Sequence, residues 1–152
     1  MNQWDAAALV HRLMHEHGLH GWGFAFNRRK RIMGLCCFGP KRIELSIHYV
    51  ISNTESSVTD TILHEIAHAI CGPDEGHGDR WKRKCMELGA IPKRCGDAVM
   101  PRGSWRATCP GCGLEHHRHR RPMKGRTYFC RPCGVKQGKL AFRRAATAAL
   151  LA

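Results

Sequence analysis

The sequence predicts an α+β fold: an N-terminal helix, a small antiparallel or mixed sheet, a helix carrying the run His-Glu-x-x-His, a following helix, and a separate cysteine-rich unit at the C-terminal end. Three observations carry this reading. Apolar residues recur at every second position in the stretches around 22–26 and 43–47, but at every third or fourth position over 58–70, so the period changes from strand to helix along the chain. Four of the nine cysteines form two short-spaced pairs, Cys109 with Cys112 and Cys130 with Cys133. Charge is divided too: residues 1–101 hold 13 Lys/Arg against 11 Asp/Glu, a balance of +2, while residues 102–152 hold 12 against one, a balance of +11. The expected organisation is a domain over 1–101, a basic cysteine unit over 102–142 and a tail over 143–152.

Taken in order, "QWDAAALVHRLMHEHG" sets Trp4, Ala8, Leu9 and Leu13 at helical spacing, with Gly18 as the stop. "WGFAFN" alternates Trp22, Phe24 and Phe26 on one face of a short strand. "RIMGLCCF" and "RIELSIHYV" read as further strands on either side of Gly39–Pro40, the second with Ile43, Leu45 and Ile47 on one face. "SSVTDTILHEIAHAIC" then repeats Val58, Ile62, Ile66 and Ala69 or Ile70, with Ser56 or Ser57 as cap and Gly72–Pro73 as terminator. "GPDEGHG" is a loop, and "DRWKRKCMELG" is a second helix from Gly78 or Asp79 to Gly89. A linker follows, then the cysteine unit over 105–142. "FRRAATAALLA" reads equally as a short helix or a frayed tail.

The N-terminus has neither a basic n-region nor an apolar h-region, and no apolar run approaches the roughly 18 residues of a membrane span. The expectation is a cytoplasmic protein without a membrane partner. In that setting cysteines at these spacings read as metal ligands rather than a disulfide framework. The scattered Cys36, Cys37, Cys71, Cys85 and Cys95 read as small buried apolar residues.

His64 and His68 are four residues apart, so on a helix both imidazoles project from one face and can reach a single Zn2+. Glu65, beside the first of them, can act on a water at the metal without ligating it, as a general base. Asp74, Glu75, His77 and Glu87 compete for the third ligand. The metzincin spacing fails, because Cys71 and Asp74 stand where its glycine and third histidine belong. The gluzincin spacing is met by Glu87, although a helical wheel turns that residue away from the side marked by Trp81, Cys85 and Leu88. His77 lies between Gly76 and Gly78, where the loop can bend back toward the helix. Asp74 and Glu75 sit just past the helix stop, where the reach is strained. Spacing leaves His77 and Glu87 both open.

"HEIAHA", "GHGDRWK" and "CMELG", with the upstream "WGFAFNRRKRIMGLC" and "KRIELSIHYV", resemble the SprT-like zinc metallopeptidases, whose eukaryotic relatives include the Spartan DNA–protein crosslink protease. The resemblance covers roughly residues 4–140. It implies a zincin-like metalloprotease domain, His64, His68 and His77 as ligands of a catalytic zinc, and Glu65 as base. It also implies proteins bound or crosslinked to DNA as substrates.

The cysteine unit reads C-x2-C, seventeen residues, C-x2-C, the spacing of a four-cysteine zinc ribbon. Cys109, Cys112, Cys130 and Cys133 would close a tetrahedron around a second, structural zinc. Gly113 and Gly134 follow each pair, where a positive φ is useful. Between the pairs, Arg118, Arg120, Arg121, Lys124 and Arg126 are the expected nucleic-acid contacts, with Tyr128 and Phe129 as either a stacking platform or the ribbon's small core. The partner expected is nucleic acid, DNA in the first instance, together with proteins on it. The predicted function is a zinc endopeptidase recruited to DNA, with the strand 43–49 holding an extended substrate by edge pairing. The alternative is a nucleic-acid-binding zinc-ribbon protein whose metalloprotease-like domain is not catalytic.

Overall fold

The computed structural model describes residues 1–93 and 98–145. Cys95 and residues 146–152, which include most of the predicted C-terminal helix or tail, lie outside the described residues. The chain divides into two compact units, Met1–Pro101 and Arg102–Ala152. The architecture is mixed α+β with small sheets. Among the described residues no helix is long and apolar enough to cross a membrane.

In the first unit, helix α1 spans Gln3–Glu16. The Asn2 side chain caps it by accepting the N–H groups of Trp4 and Asp5, each at 2.9 Å. The buried stripe is Ala6, Leu9, Val10, Leu13 and Met14, while Trp4 and Ala8 face outward. Two sets of residues satisfied the helical period, and the set with more branched side chains is the one that packs on the core.

Three strands follow: β1 Gly23–Asn27, β2 Gly34–Cys37 and β3 Arg42–Ser46. Their order is β1-β3-β2, with β3 parallel to β1 and antiparallel to β2. The sheet is therefore mixed, with β3 central. The strand predicted to run to residue 50 stops at Ser46, whose side chain accepts the Tyr49 N–H and starts helix α2, Ile47–Ser52. A central strand has both edges occupied, so 43–49 cannot hold a substrate; among the described residues β2 is the edge strand beside the cleft.

Helix α3, Glu55–Cys71, is capped by the Thr54 side chain and closed by Gly72 at φ 93°. Val58, Ile62 and Ile66 are fully buried against the sheet and α1, joined by Leu63, Ala67 and Cys71. Helix α4, Asp79–Leu88, ends in a left-handed Gly89, with the Ala90 N–H returning to the Cys85 carbonyl at 2.8 Å.

In the second unit, strands β4 Trp105–Thr108, β5 Glu115–Arg118 and β8 Arg143–Arg144 form an antiparallel sheet in the order β5-β4-β8. Strand β6, Tyr128–Phe129, pairs with β7, Lys139–Leu140, and a single turn of helix α5, Gly134–Gln137, precedes β7. Arg143 and Arg144, grouped with the tail in the sequence, pair with Arg106 and Trp105.

Candidate metal centre

Helix α3 presents His64 and His68 one turn apart, and the loop after it returns a third imidazole. Gly72 and Gly76, at φ 93° and 55°, take backbone conformations that favour glycine and turn the chain back. Glu75 then fixes the start of α4. Its Oε1 accepts the Arg80 N–H at 3.0 Å, and its carbonyl accepts the Gly78 N–H at 3.0 Å. A Cβ on Gly78 would lie 2.3 Å from that same Oε1, so a side chain there would push the Glu75 carboxylate off its cap. Glu75 is thus a helix cap rather than a ligand, and His77 is carried inward between two anchored ends.

The three Nε2 atoms form a nearly equilateral triangle: 3.2 Å from His68 to His64, 3.2 Å from His68 to His77 and 3.3 Å from His77 to His64. A ring nitrogen either donates or accepts, so three that face one another cannot satisfy each other. Imidazoles around a tetrahedral zinc at about 2.0–2.1 Å would have nitrogens about 3.3 Å apart, and the triangle fits that donor set. Burial lowers the pKa of His64 to about 4, helped by His77, and that of His68 to about 4, helped by His64 and His77. Both rings are neutral near pH 7, with lone pairs available to a cation. Glu87 is not part of the cluster. It is exposed on the outer face of α4, paired with Lys84.

Trp81, which the sequence marked only as buried, walls the three rings. Its centroid lies 4.7 Å from that of His64 and 4.6 Å from that of His77, both edge-to-face, and 5.2 Å from that of His68, stacked. Its spacing to His77 on the same turn of chain was the available signal.

Glu65 is buried beside this triangle and lines the same cleft, of about 690 Å³, as His64, His68 and His77. Burial pushes its carboxyl up to about 8, against which the backbone N–H of Cys36 favours the ionised form. The Cys36 thiol is itself pushed up to about 12, first by burial and then by Glu65, so it is inert rather than nucleophilic. Residues 31–36 and Phe38, which include most of β2, also line the cleft.

In the second unit Cys109, Cys112, Cys130 and Cys133 converge, their Sγ atoms all within 4.8 Å of one another. Cys112 and Cys130 are 3.7 Å apart, close to the roughly 3.8 Å edge of a tetrahedral Zn–thiolate site. The two knuckles are built alike: the Gly113 N–H returns to the Cys109 carbonyl and the Gly134 N–H to the Cys130 carbonyl, both at 2.9 Å. Gly113 and Gly134 have φ of 72° and 60°. Burial acts to raise the Cys109 thiol, but the backbone N–H groups of Cys112 and Gly111, together with the thiols of Cys112 and Cys130, outweigh it and lower the pKa to about 7.

The basic insert separates into two kinds of residue. Arg118 is half-buried, its guanidinium 4.4 Å from the Tyr128 ring centroid and 5.8 Å from that of Phe142. Arg126 and Arg121 lie over Tyr128 and Trp105 at 5.6 and 5.9 Å but remain exposed, as do Arg120 and Lys124. Tyr128 therefore serves the interior of the ribbon, beneath two guanidiniums.

The sequence model of the SprT-like family matches residues 6–100, the stretch that holds the histidine triangle and Glu65. The chain is 33% identical over 96 residues to Protein SprT of Pseudomonas savastanoi pv. phaseolicola, which covers 53% of this chain and 57% of that protein. It is 32% identical over 127 residues to Protein SprT of Pseudomonas paraeruginosa, covering 72% of this chain and 74% of that one. With Protein SprT of Shewanella oneidensis it shares 25% identity over 119 residues, 71% of this chain and 76% of the relative. The chain thus spans little more than half the length of the first of these relatives. No solved structure matches it significantly. By the extent of the family match, the chain belongs to the SprT-like family.

Proposed function

We propose that the protein is a zincin-like, zinc-dependent endopeptidase that acts on proteins bound or crosslinked to DNA. The observation that carries the reading is the convergence of three imidazoles beside a buried carboxyl, in a cleft bordered by what is, among the described residues, an edge strand. His64, His68 and His77 would hold a zinc ion, which when bound would supply Lewis acidity to a carbonyl and to water. Glu65 accepts the water's proton and returns it to the leaving amine. Trp81 keeps the three rings in register and excludes solvent behind them.

Strand β2 is placed to receive an extended peptide. The Ser46 N–H donates to the Met33 carbonyl at 2.8 Å. In the same register the backbone groups of Leu35 and Cys37 face β3, and those of Gly34 and Cys36 face outward, so that the Gly34 N–H and the Gly34 and Cys36 carbonyls are left for the substrate while the Cys36 N–H serves Glu65. Cys109, Cys112, Cys130 and Cys133 would fill all four positions around a structural zinc, which would tie the basic unit together. Arg120, Arg121, Lys124 and Arg126 on its surface, together with the +11 balance of residues 102–152, suit a polyanion, and DNA is the partner proposed.

The test is cleavage of histone H1 by zinc-loaded protein, with and without DNA, beside Glu65→Gln. Cleavage that requires zinc and Glu65 and is accelerated by DNA is the expected outcome. A Glu65→Gln variant as active as the wild type would overturn the mechanism. DNA binding by a wild type that cleaves nothing would favour the binding-module alternative.

A further inference from the structure

We infer that Gly34 is a positioning residue for Glu65: the absent side chain at 34 and the outward N–H of Cys36 together form the seat that aims the carboxylate into the cleft. This rests on the peptidase reading for its consequence, though not for its geometry. A Cβ built on Gly34 would lie 2.9 Å from Glu65 Cγ, 2.9 Å from its Oε1 and 3.0 Å from Thr61 Cγ2. The backbone of Gly34 is ordinary extended strand, so no torsional need explains a glycine here. The close approach does.

Two residues further along the same edge lies the second half of the seat. The Cys36 N–H is not used by the sheet, because Cys36 and Ile43 form a pair whose backbone groups point outward. That N–H is directed at the Glu65 carboxyl instead. Glu65 is thus confined from below by α3, from the side by the bare Cα of Gly34, and along the strand by an amide donor. An alanine at 34 meets mostly the movable end of a side chain rather than backbone. The fold should therefore absorb it, and the carboxylate should be what gives way.

The experiment uses the full-length zinc-loaded protein and reads two things. The first is amide hydrogen exchange at Leu35, Cys36 and Cys37; the second is kcat and KM on β-casein. In Gly34→Ala the Cys36 amide is expected to exchange like an unprotected one while Leu35 and Cys37 keep their protection. With it, kcat is expected to fall by about 10²-fold at unchanged KM and unchanged zinc content, the loss typical of a catalytic group displaced by about an ångström. Glu65→Ala, which removes the carboxylate instead of displacing it, must release the same amide, and adding Gly34→Ala to it must change that pattern no further. If Cys36 stays protected in Gly34→Ala, or if all three amides loosen together, Gly34 serves the sheet and the assignment is wrong. Exchange needs no turnover, so a wild type inert toward casein would count against the peptidase reading while the amide pattern still decides the role of Gly34.

Discussion

Glu65 and the two histidines flanking it titrate in opposite senses, which gives the cleft a distinctive pH response. In the metal-free protein the Glu65 carboxyl is held up to about 8, whereas its ordinary value is 4.5. The folded state keeps a proton that the unfolded chain has lost, so stability falls as pH rises toward 8. His64 and His68, lowered to about 4 from 6.5, work the other way, but only below about 6.5, where the unfolded chain gains protons that the folded one refuses. Between pH 6.5 and 8, Glu65 is the member of this set whose charge differs between the two states. Chelated wild type is expected to lose thermal stability over that interval relative to chelated Glu65→Gln, and to run parallel with it above. Melting curves of the two across pH 6–9 decide this. A difference that does not change with pH would mean that the buried carboxyl is already ionised. With zinc bound, the nearby cation favours the carboxylate, and the slope should vanish.

The third ligand belongs to the same scale. His77→Ala is expected to reduce zinc at the histidine site at least as much as His64→Ala, while Glu87→Gln leaves it intact, since Glu87 is occupied with Lys84 on the far face of α4. Zinc content by mass spectrometry distinguishes them. His64, Glu65 and His68 could be read from spacing because all three lie on one helix, where sequence offset fixes direction. Spacing could not choose His77 over Glu87, because that choice depends on the path of a loop. Gly34 had no local signal at all: its significance comes from a helix that is distant in sequence.

At the scale of elements, the device that delivers His77 is the turn from α3 to α4. Gly78 is the N-cap of α4 and supplies no side-chain acceptor, and Glu75 fills that role from three residues upstream. Glu75→Ala is expected to cost about 1 kcal/mol of stability, the usual loss for a missing cap. It should also weaken zinc binding at the histidines without altering any ligand, because the loop is then tied at one end only. Competition titration with a chromophoric chelator, set beside denaturant melts, measures both effects. Unchanged zinc affinity would mean that Gly72 and Gly76 alone define the turn. Helices α1, α3 and α4 were legible because their apolar period and glycine stops agree, α4 most closely; α2 and the single turn α5 were not. The strand at 42–50 was not, because Ile47, Tyr49 and Val50 suit a strand as well as a helix. The decision fell to one hydroxyl: Ser46 accepts the Tyr49 N–H and also donates to the Arg29 carbonyl at 2.6 Å. The strand order β1-β3-β2, rather than that turn, is what moves the proposed substrate-pairing role from β3 at the centre of the sheet to β2.

The whole molecule joins two units that are stabilised by different means. Met1–Pro101 encloses a contiguous core in which Val10, Ile43, Leu45, Val58, Ile62 and Ile66 are fully buried. In the described part of the second unit the buried apolar residues are Ala107, Cys109 and Cys130, two of which are metal ligands in the proposed centre. A unit of that size with so little core needs a cross-link or a metal to stay folded. The charge boundary and cysteine spacing marked this second unit in the sequence, but the pairing of Arg143 and Arg144 with β4 had no comparable signal in so short a strand. Metal removal should therefore separate the two. A strong chelator at neutral pH is expected to open the cysteine unit to trypsin at its many Arg and Lys residues, while a fragment ending near Pro101 survives. Cys112→Ser should reproduce that digestion pattern without chelator and still retain zinc at the histidines. It should keep the cleavage of histone H1 expected without DNA and lose the acceleration expected from DNA. If chelation instead melts both units together, the histidine triangle contributes to folding as well as to chemistry. In that case burial of the apolar faces of α1 and α3 against the sheet is insufficient without a cation at His64, His68 and His77.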